Sequence, residues 1–243
     1  MPVLEEALRE DTALISIQWG NNEVGAMQPI AECGKICKER GITFHTDGVQ
    51  PIGQLEIPVL PDMTTIAAHK FYGPKGIGAL IVRDHVELCP QILGGGQEFN
   101  LRAGSENLPA IVGMAKALEI ALEKQPAEEK RLIALRDDFI AQLEALPGVT
   151  LNGPRTARLP NNANIRFEGK SGETIVIQLD LQGIAAATGS ACASGSSGPS
   201  HVLEAMGRTD KAASENIRFS LGASTTKEDI DTTVAVITDI LNQ

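Results

Sequence analysis

A chain of 243 residues with 42% apolar side chains holds enough material to bury a sizeable core, so disorder is excluded for most of its length. A formal charge of −10 argues against a dedicated nucleic-acid binder or an anionic-membrane binder, both of which present basic faces. No apolar run reaches the length of a bilayer span, and Glu5, Glu6, Arg9, Glu10 and Asp11 stand where a signal peptide is apolar, so a soluble cytoplasmic protein is expected.

The first half of the chain reads as a βαβ pattern. Apolar, β-branched runs recur at 13–19 (ALISIQW), 42–47 (ITFHTD), 64–69 (TTIAAH) and 77–82 (IGALIV). Between the first two lies PIAECGKICKERG, with Pro at its start and Gly just past its end, the asymmetry of a helix. This grammar predicts a mostly parallel sheet flanked by helices, whose ligands sit at the carboxyl ends of the strands.

A Gly-rich segment, GGGQEFNLRAGSEN, is followed by an amphipathic helix with Leu108, Ile111, Val112, Ala115, Leu118 and Leu122 on one stripe. A second helical pattern, EEKRLIALRDDFIAQLEAL, stops at PGV. Beyond it the strands NANIRF, GIAAAT and NIRFSL alternate with helices near 173–182, 200–206 and 227–241, which predicts a smaller α+β domain. The division expected is 1–125 for a large α/β domain and 126–243 for the small one.

Four cysteines are too few for a disulfide framework in a chain of this length. Cys33 and Cys37 are spaced like one helix face, but no His or further Cys pair lies nearby to complete a zinc site, so both are expected in the core, and Cys89 with them. Cys192 is different. It sits in ATGSACASGSSGPSH, a run of Gly, Ser and Ala that cannot bury apolar area, so it is expected to be exposed and mobile, with an accessible thiol.

Other polar groups fall at strand ends: Asp47 and Gln50 after ITFH, His69 and Lys70 after TTIAA, and Arg218 inside NIRFSLG. Singly, Asp47 could be a turn former and Lys70 a solvated charge. Arg218 lies within an apolar strand, where a guanidinium needs a partner. Lys70, at the end of an apolar strand before a Gly-Pro turn, is where a desolvated amine would be placed to condense with a carbonyl. The cofactor that asks for such a Lys, with an acid for its ring nitrogen, is pyridoxal phosphate, and Asp47 is the natural acid.

The ordered motifs HTDGVQ, AAHKFYGPKGIGALIV, GGGQEFNLRAGSEN, GSACASGSSGPSHVL and IRFSLG resemble the cysteine desulfurases of the class V aminotransferase group, over nearly the whole chain. The resemblance implies a fold-type I architecture: a partial pyridoxal-phosphate-binding large domain plus a small C-terminal α+β domain. It implies that Lys70 bonds the cofactor, Asp47 keeps the pyridinium nitrogen protonated, Gln50 meets the phenolic oxygen and His69 the phosphate. Asn22, in GNNEVG, is implied near that oxygen and the substrate carboxylate, with Arg218 making the carboxylate fork. Ser105 is implied to reach the phosphate of a neighbouring subunit, hence a homodimer.

By the same resemblance, Cys192 takes sulfur from L-cysteine as a persulfide, with release of alanine, and passes it to an iron–sulfur scaffold or other acceptor protein. The sequence departs from the family in beginning well inside the large domain: the first strands, the phosphate-binding loop and the His that stacks on the pyridine ring have no counterpart. Ala67 stands where relatives often carry a hydroxyl directed at the phosphate. A fragment, a subunit completed by an N-terminal companion chain, and an inactive scaffold form are therefore alternatives, and selenocysteine lyase is the neighbouring activity. The open sheet is expected to favour association or poor solubility.

Overall fold

The computed structural model describes residues 1–57, 61–189 and 200–242. Two compact units divide the chain. One comprises Met1–Gly20 with Gln28–Pro126, the other Asn21–Met27 with Ala127–Gln243.

The first unit opens with a short helix α1 (Pro2–Ala7) and then the strand β1 (Leu14–Gln18). Helix α2 (Ile30–Arg40) follows, preceded by Pro29 and ended by Gly41 in the left-handed conformation, whose N–H reaches the carbonyls of Cys37 and Lys38. Strands β2 (Thr43–Asp47), β3 (Met63–Ala67) and β4 (Gly78–Val82) complete a sheet ordered β1-β2-β3-β4. The first two pairings are parallel and the last antiparallel. One face of the sheet buries Ile15, Phe44 and Ile66, and α2 contributes Ile30, Cys33 and Cys37 to the core. The expected strands and the expected helix are all present, because each carries its own period and its own stop signal.

Cys89 departs from expectation: it is exposed, while Cys33 and Cys37 are buried. It lies in an irregular stretch with no periodic face, so nothing local turns its side chain inward.

The two expected helices after residue 107 are one. Helix α3 runs from Leu108 to Glu144 through Pro126. Proline lacks one N–H and crowds the preceding turn, but the strong helix formers on both sides carry the helix past it.

In the second unit β5 (Val149–Leu151), β6 (Asn162–Phe167) and β7 (Asn216–Ser220) form an antiparallel sheet in that order. Its helices are α4 (Gly172–Leu181), α5 (His201–Ala205), α6 (Asp210–Ser214) and α7 (Lys227–Leu241). The core gathers Phe139 and Leu143 of α3 with Ile165, Phe167, Ile217 and Phe219 of the sheet, and Phe139 meets Phe219 edge-on at 5.0 Å. Helix α7 is closed by a reciprocal cap, in which Asp229 and Thr226 each accept from the other's backbone N–H. The expected strand GIAAAT is reduced to one bridge, Ala187 to Arg218, since a run of alanines offers no branched side chains to pack on a pleated surface.

Candidate active site

In the first unit the carboxyl ends of the parallel strands carry the polar residues. Gln18, Asp47 and Thr65 lie side by side across β1, β2 and β3. The carboxylate of Asp47 is half-buried, and its Oδ1 accepts the N–H of Val49 at 2.9 Å, which fixes its rotamer at the strand end. Gln50 follows in the turn, also half-buried.

Beyond β3 the chain makes a single 3-10 turn, Ala68–Lys70. Ala68 is tied to Ile77 on the β4 side of the turn and accepts the N–H of Gly73 at 2.8 Å. That anchor holds Lys70, half-buried, and His69, exposed, just past the end of the strand next to Asp47's.

The alternation of the strands puts a further polar row on Asp47's face, one step earlier. His45 bridges Ser16 through Nδ1 at 2.7 Å and Thr65 through Nε2 at 2.9 Å, crossing three strands with one imidazole. The signal for it was in the sequence: His45 stands two residues before Asp47, hence on the same face.

Ser105 is exposed, in the loop before α3, whose first turn is capped by the Asn107 side chain through the N–H of Ala110 at 3.3 Å. Upstream, Glu98, Phe99 and Asn100 adopt positive φ in succession, a costly run for residues other than glycine.

In the second unit, Asn22 and Arg218 come together. The loop 21–26 is closed by Asn21, whose side-chain Oδ1 accepts the N–H groups of Glu23 and Val24, both at 2.9 Å. Gly25 has φ 73°, and a Cβ there would lie 2.6 Å from Asn162 Oδ1, so only glycine fits. The loop offers its main-chain carbonyls to the sheet: Asn22 O accepts Arg218 Nη1 at 3.2 Å, and Glu23 O accepts the side-chain amides of Asn162 and Asn164 at 3.2 and 3.1 Å. Arg218 Nε is buried and, among the described residues, has no acceptor. A buried N–H in that condition costs about 1–3 kcal/mol, which an anionic ligand would recover.

Beneath this surface lies a buried polar network. Arg158 bonds the carbonyls of Pro154 and Asn162, at 2.7 and 3.2 Å, and that of Asn152. Burial, with the Arg136 guanidinium nearby, lowers its pKa to about 10.

Cys192 lies outside the described residues, so the two units supply the remaining candidates in two groups: Asp47, Gln50, His69, Lys70 and Ser105 in the first, Asn22 and Arg218 in the second. The donor set of the first group fits pyridoxal phosphate, with an amine, a carboxylate already oriented by Val49, and an amide at adjacent strand ends. The second group fits a carboxylate.

Polar groups gathered at the carboxyl ends of parallel strands mark the class, an α/β fold of the kind that places ligands at its strand ends. The family follows from comparison. The model of the aminotransferase class-V family matches residues 1–233, and this chain belongs to that family, whose cofactor is pyridoxal 5′-phosphate.

Among curated relatives it is 49% identical over 244 residues to the cysteine desulfurase IscS of Dictyoglomus turgidum, covering 99% of this chain and 62% of that protein. Cysteine desulfurase IscS of Clostridium botulinum (strain Hall) is 47% identical over 246 residues, again covering 99% of this chain and 62% of the relative. Among solved structures, a NifS-like protein superposes with a TM-score of 0.90 at 36% identity, covering 99% of this chain and 64% of its own. The NifS-like protein from Rickettsia africae gives 0.88 at 31%, covering 100% of this chain and 65% of its own. This chain therefore spans somewhat under two thirds of the length of these proteins.

Proposed function

We propose that this chain carries the cofactor-anchoring and substrate-binding residues of a cysteine desulfurase, which moves sulfur from L-cysteine to Cys192 and releases L-alanine. The observation that carries the reading is the placement of Asp47 at the end of β2 and Lys70 just past the end of the adjacent parallel strand β3. The two curated relatives supply the specific activity, since both are cysteine desulfurases.

When bound, the cofactor supplies a covalent hold on the substrate's amino group and an electron sink for the bonds at its Cα. Lys70 provides the amine that anchors it and then a base near the Cα proton. Asp47, its rotamer fixed by Val49, keeps a proton on the ring nitrogen. Gln50 and His69 are placed in the proposal at the phenolic oxygen and the phosphate, and Ser105 at the phosphate of a second subunit in a homodimer. Arg218 pairs with the substrate carboxylate beside Asn22. The thiolate of Cys192 attacks the substrate sulfur, the bond from that sulfur to carbon breaks, and the persulfide left on Cys192 is passed to an acceptor such as an iron–sulfur scaffold protein in the cytoplasm. The domain assignment belongs to the same proposal: 1–125 as the cofactor-binding part and 126–243 as the small domain.

A second reading has its own support. Among the described residues the first sheet ends at β1 and β4, and sheet edges of that kind accept a further strand, which favours a subunit completed by an N-terminal companion chain.

One experiment separates these. The protein is mixed with pyridoxal phosphate, its absorbance recorded, the adduct fixed with borohydride and mapped by mass spectrometry, and alanine release from L-cysteine assayed. Cofactor on Lys70 with alanine release supports the desulfurase. Cofactor absent from Lys70 overturns it for the chain alone, and activity restored by an added N-terminal segment establishes the companion reading.

A further inference from the structure

Glu23 is a buried carboxylate that the proposed chemistry leaves unused. It is 7% exposed, and its backbone is held on both sides: the N–H by Asn21 Oδ1, the carbonyl by the amides of Asn162 and Asn164 on β6. With the main chain fixed, the side chain is buried within the second unit.

In that region Glu23 Oε2 accepts the hydroxyl of Ser200 at 2.5 Å, and Ser200 is itself only 5% exposed. Ser200 is also the N-cap of α5, its Oγ accepting the N–H of Leu203 at 3.3 Å. The same Oε2 stands 3.0 Å from where a Cβ on Gly189 would be, so a methyl there would press on the carboxylate more tightly than ordinary van der Waals contact. Gly189 and Ser200 are the residues described on either side of 190–199, and both converge on one carboxylate oxygen.

We propose that Glu23 is a positioning residue: its carboxylate ties Ser200 and lies against Gly189, and thereby fixes the two described positions that flank 190–199, the stretch of sequence that contains Cys192. The consequence for sulfur transfer rests on the role proposed for Cys192; the tie itself does not. A buried carboxylate is costly unless hydrogen-bonded, and the Ser200 hydroxyl donor offsets part of that cost. The same loop presents Asn22 O to Arg218, so one turn holds both Arg218 and the described residues that flank 190–199.

The test is amide hydrogen exchange of the full chain, read separately at 186–189, at 201–205, and at β6 and β7 as an internal control. In Glu23→Ala, exchange at the first two regions is expected to rise together by about tenfold or more, the loss of one charge-assisted hydrogen bond, with β6 and β7 unchanged. Glu23→Gln keeps an acceptor for Ser200 and should recover most of the protection. Gly189→Ala, which presses a methyl on Oε2, should loosen the Leu203 amide, fourteen residues away along the chain. A rise confined to 201–205, or one spread evenly over β6 and β7, overturns the tie.

Kinetics give the second arm. In protein that releases alanine with added pyridoxal phosphate, Glu23→Ala should lower kcat while leaving KM for L-cysteine within about twofold, since Arg218 is held by a main-chain carbonyl. Unchanged kcat with coupled exchange would remove the catalytic consequence and leave the tie. Coupled exchange in a protein that releases no alanine would sink the desulfurase reading alone.

Discussion

The guanidinium of Arg218 rests on the main-chain carbonyl of Asn22, Nη1 to O at 3.2 Å, although 196 positions separate the two residues. Because the contact uses the Asn22 backbone, replacing the Asn22 side chain leaves this hydrogen bond intact. Arg218→Ala should raise KM for L-cysteine by about ten- to a hundredfold, the worth of a charged hydrogen bond of about 1.5–3 kcal/mol, whereas Asn22→Ala should leave Arg218 in place. Steady-state kinetics on both variants decide it, and an unchanged KM in Arg218→Ala would remove Arg218 from substrate binding.

Glu215 gives the second unit an acid sensitivity. Burial tends to raise its pKa, but the Arg166 side chain, at 2.7–2.8 Å, and the N–H of Gly169 outweigh it, and the net direction is down. A lowered carboxylate pKa contributes stability that is complete above the ordinary carboxylate range and is lost as pH falls through the lowered value. Thermal melts between neutral pH and about pH 3 should therefore show a steeper loss of Tm in the wild type than in Glu215→Gln. Parallel curves for the two proteins would count against the pairing as the source.

The described cysteines should separate cleanly in reactivity. Burial pushes the thiols of Cys33 and Cys37 up, whereas Cys89 is exposed. With iodoacetamide near neutral pH, mass mapping is expected to find Cys89 modified at least about tenfold faster than Cys33 or Cys37. Any labelling study of Cys192 thus needs a Cys89→Ser background. Equal labelling of all four would mean that α2 opens readily in solution.

Phe139 is 1% exposed and packs edge-on against Phe219, joining α3 to β7. Phe139→Ala should destabilise the second unit by about 3–5 kcal/mol through lost burial and the cavity left behind. Chemical denaturation followed at an amide of β6 would measure it. A loss under about 1 kcal/mol would show that the neighbours close over the gap.

The elements that the sequence made legible are those that carry their own punctuation. Strands β1 to β4 announced themselves by β-branched runs, and α2 by Pro29 and Gly41. Asp47 and Lys70 could be marked because strand ends are where such sheets bind ligands. What escaped was decided elsewhere in the chain. The two helical patterns read before and after residue 125 are one helix, carried through Pro126 by the helix formers on both sides. Asn21–Met27 clusters with residues beyond 126, through contacts with Asn162, Asn164 and Arg218 that no local pattern encodes. Glu23 escaped for the same reason: its partner Ser200 is 177 positions away.

The order β1-β2-β3-β4 follows the order of the chain, and so does β5-β6-β7. During synthesis each strand therefore emerges beside a neighbour that has already left the ribosome, and none has to wait for a later one before it can pair. In the first sheet the longest wait spans the 11 residues of α2 and its turns, a short loop to close. The second sheet is slower in one place only, since β7 follows β6 after the whole of 168–215, including the stretch with Cys192. The first sheet is thus assembled strand by strand in the order of the chain, and the sheet that holds Arg218 closes last.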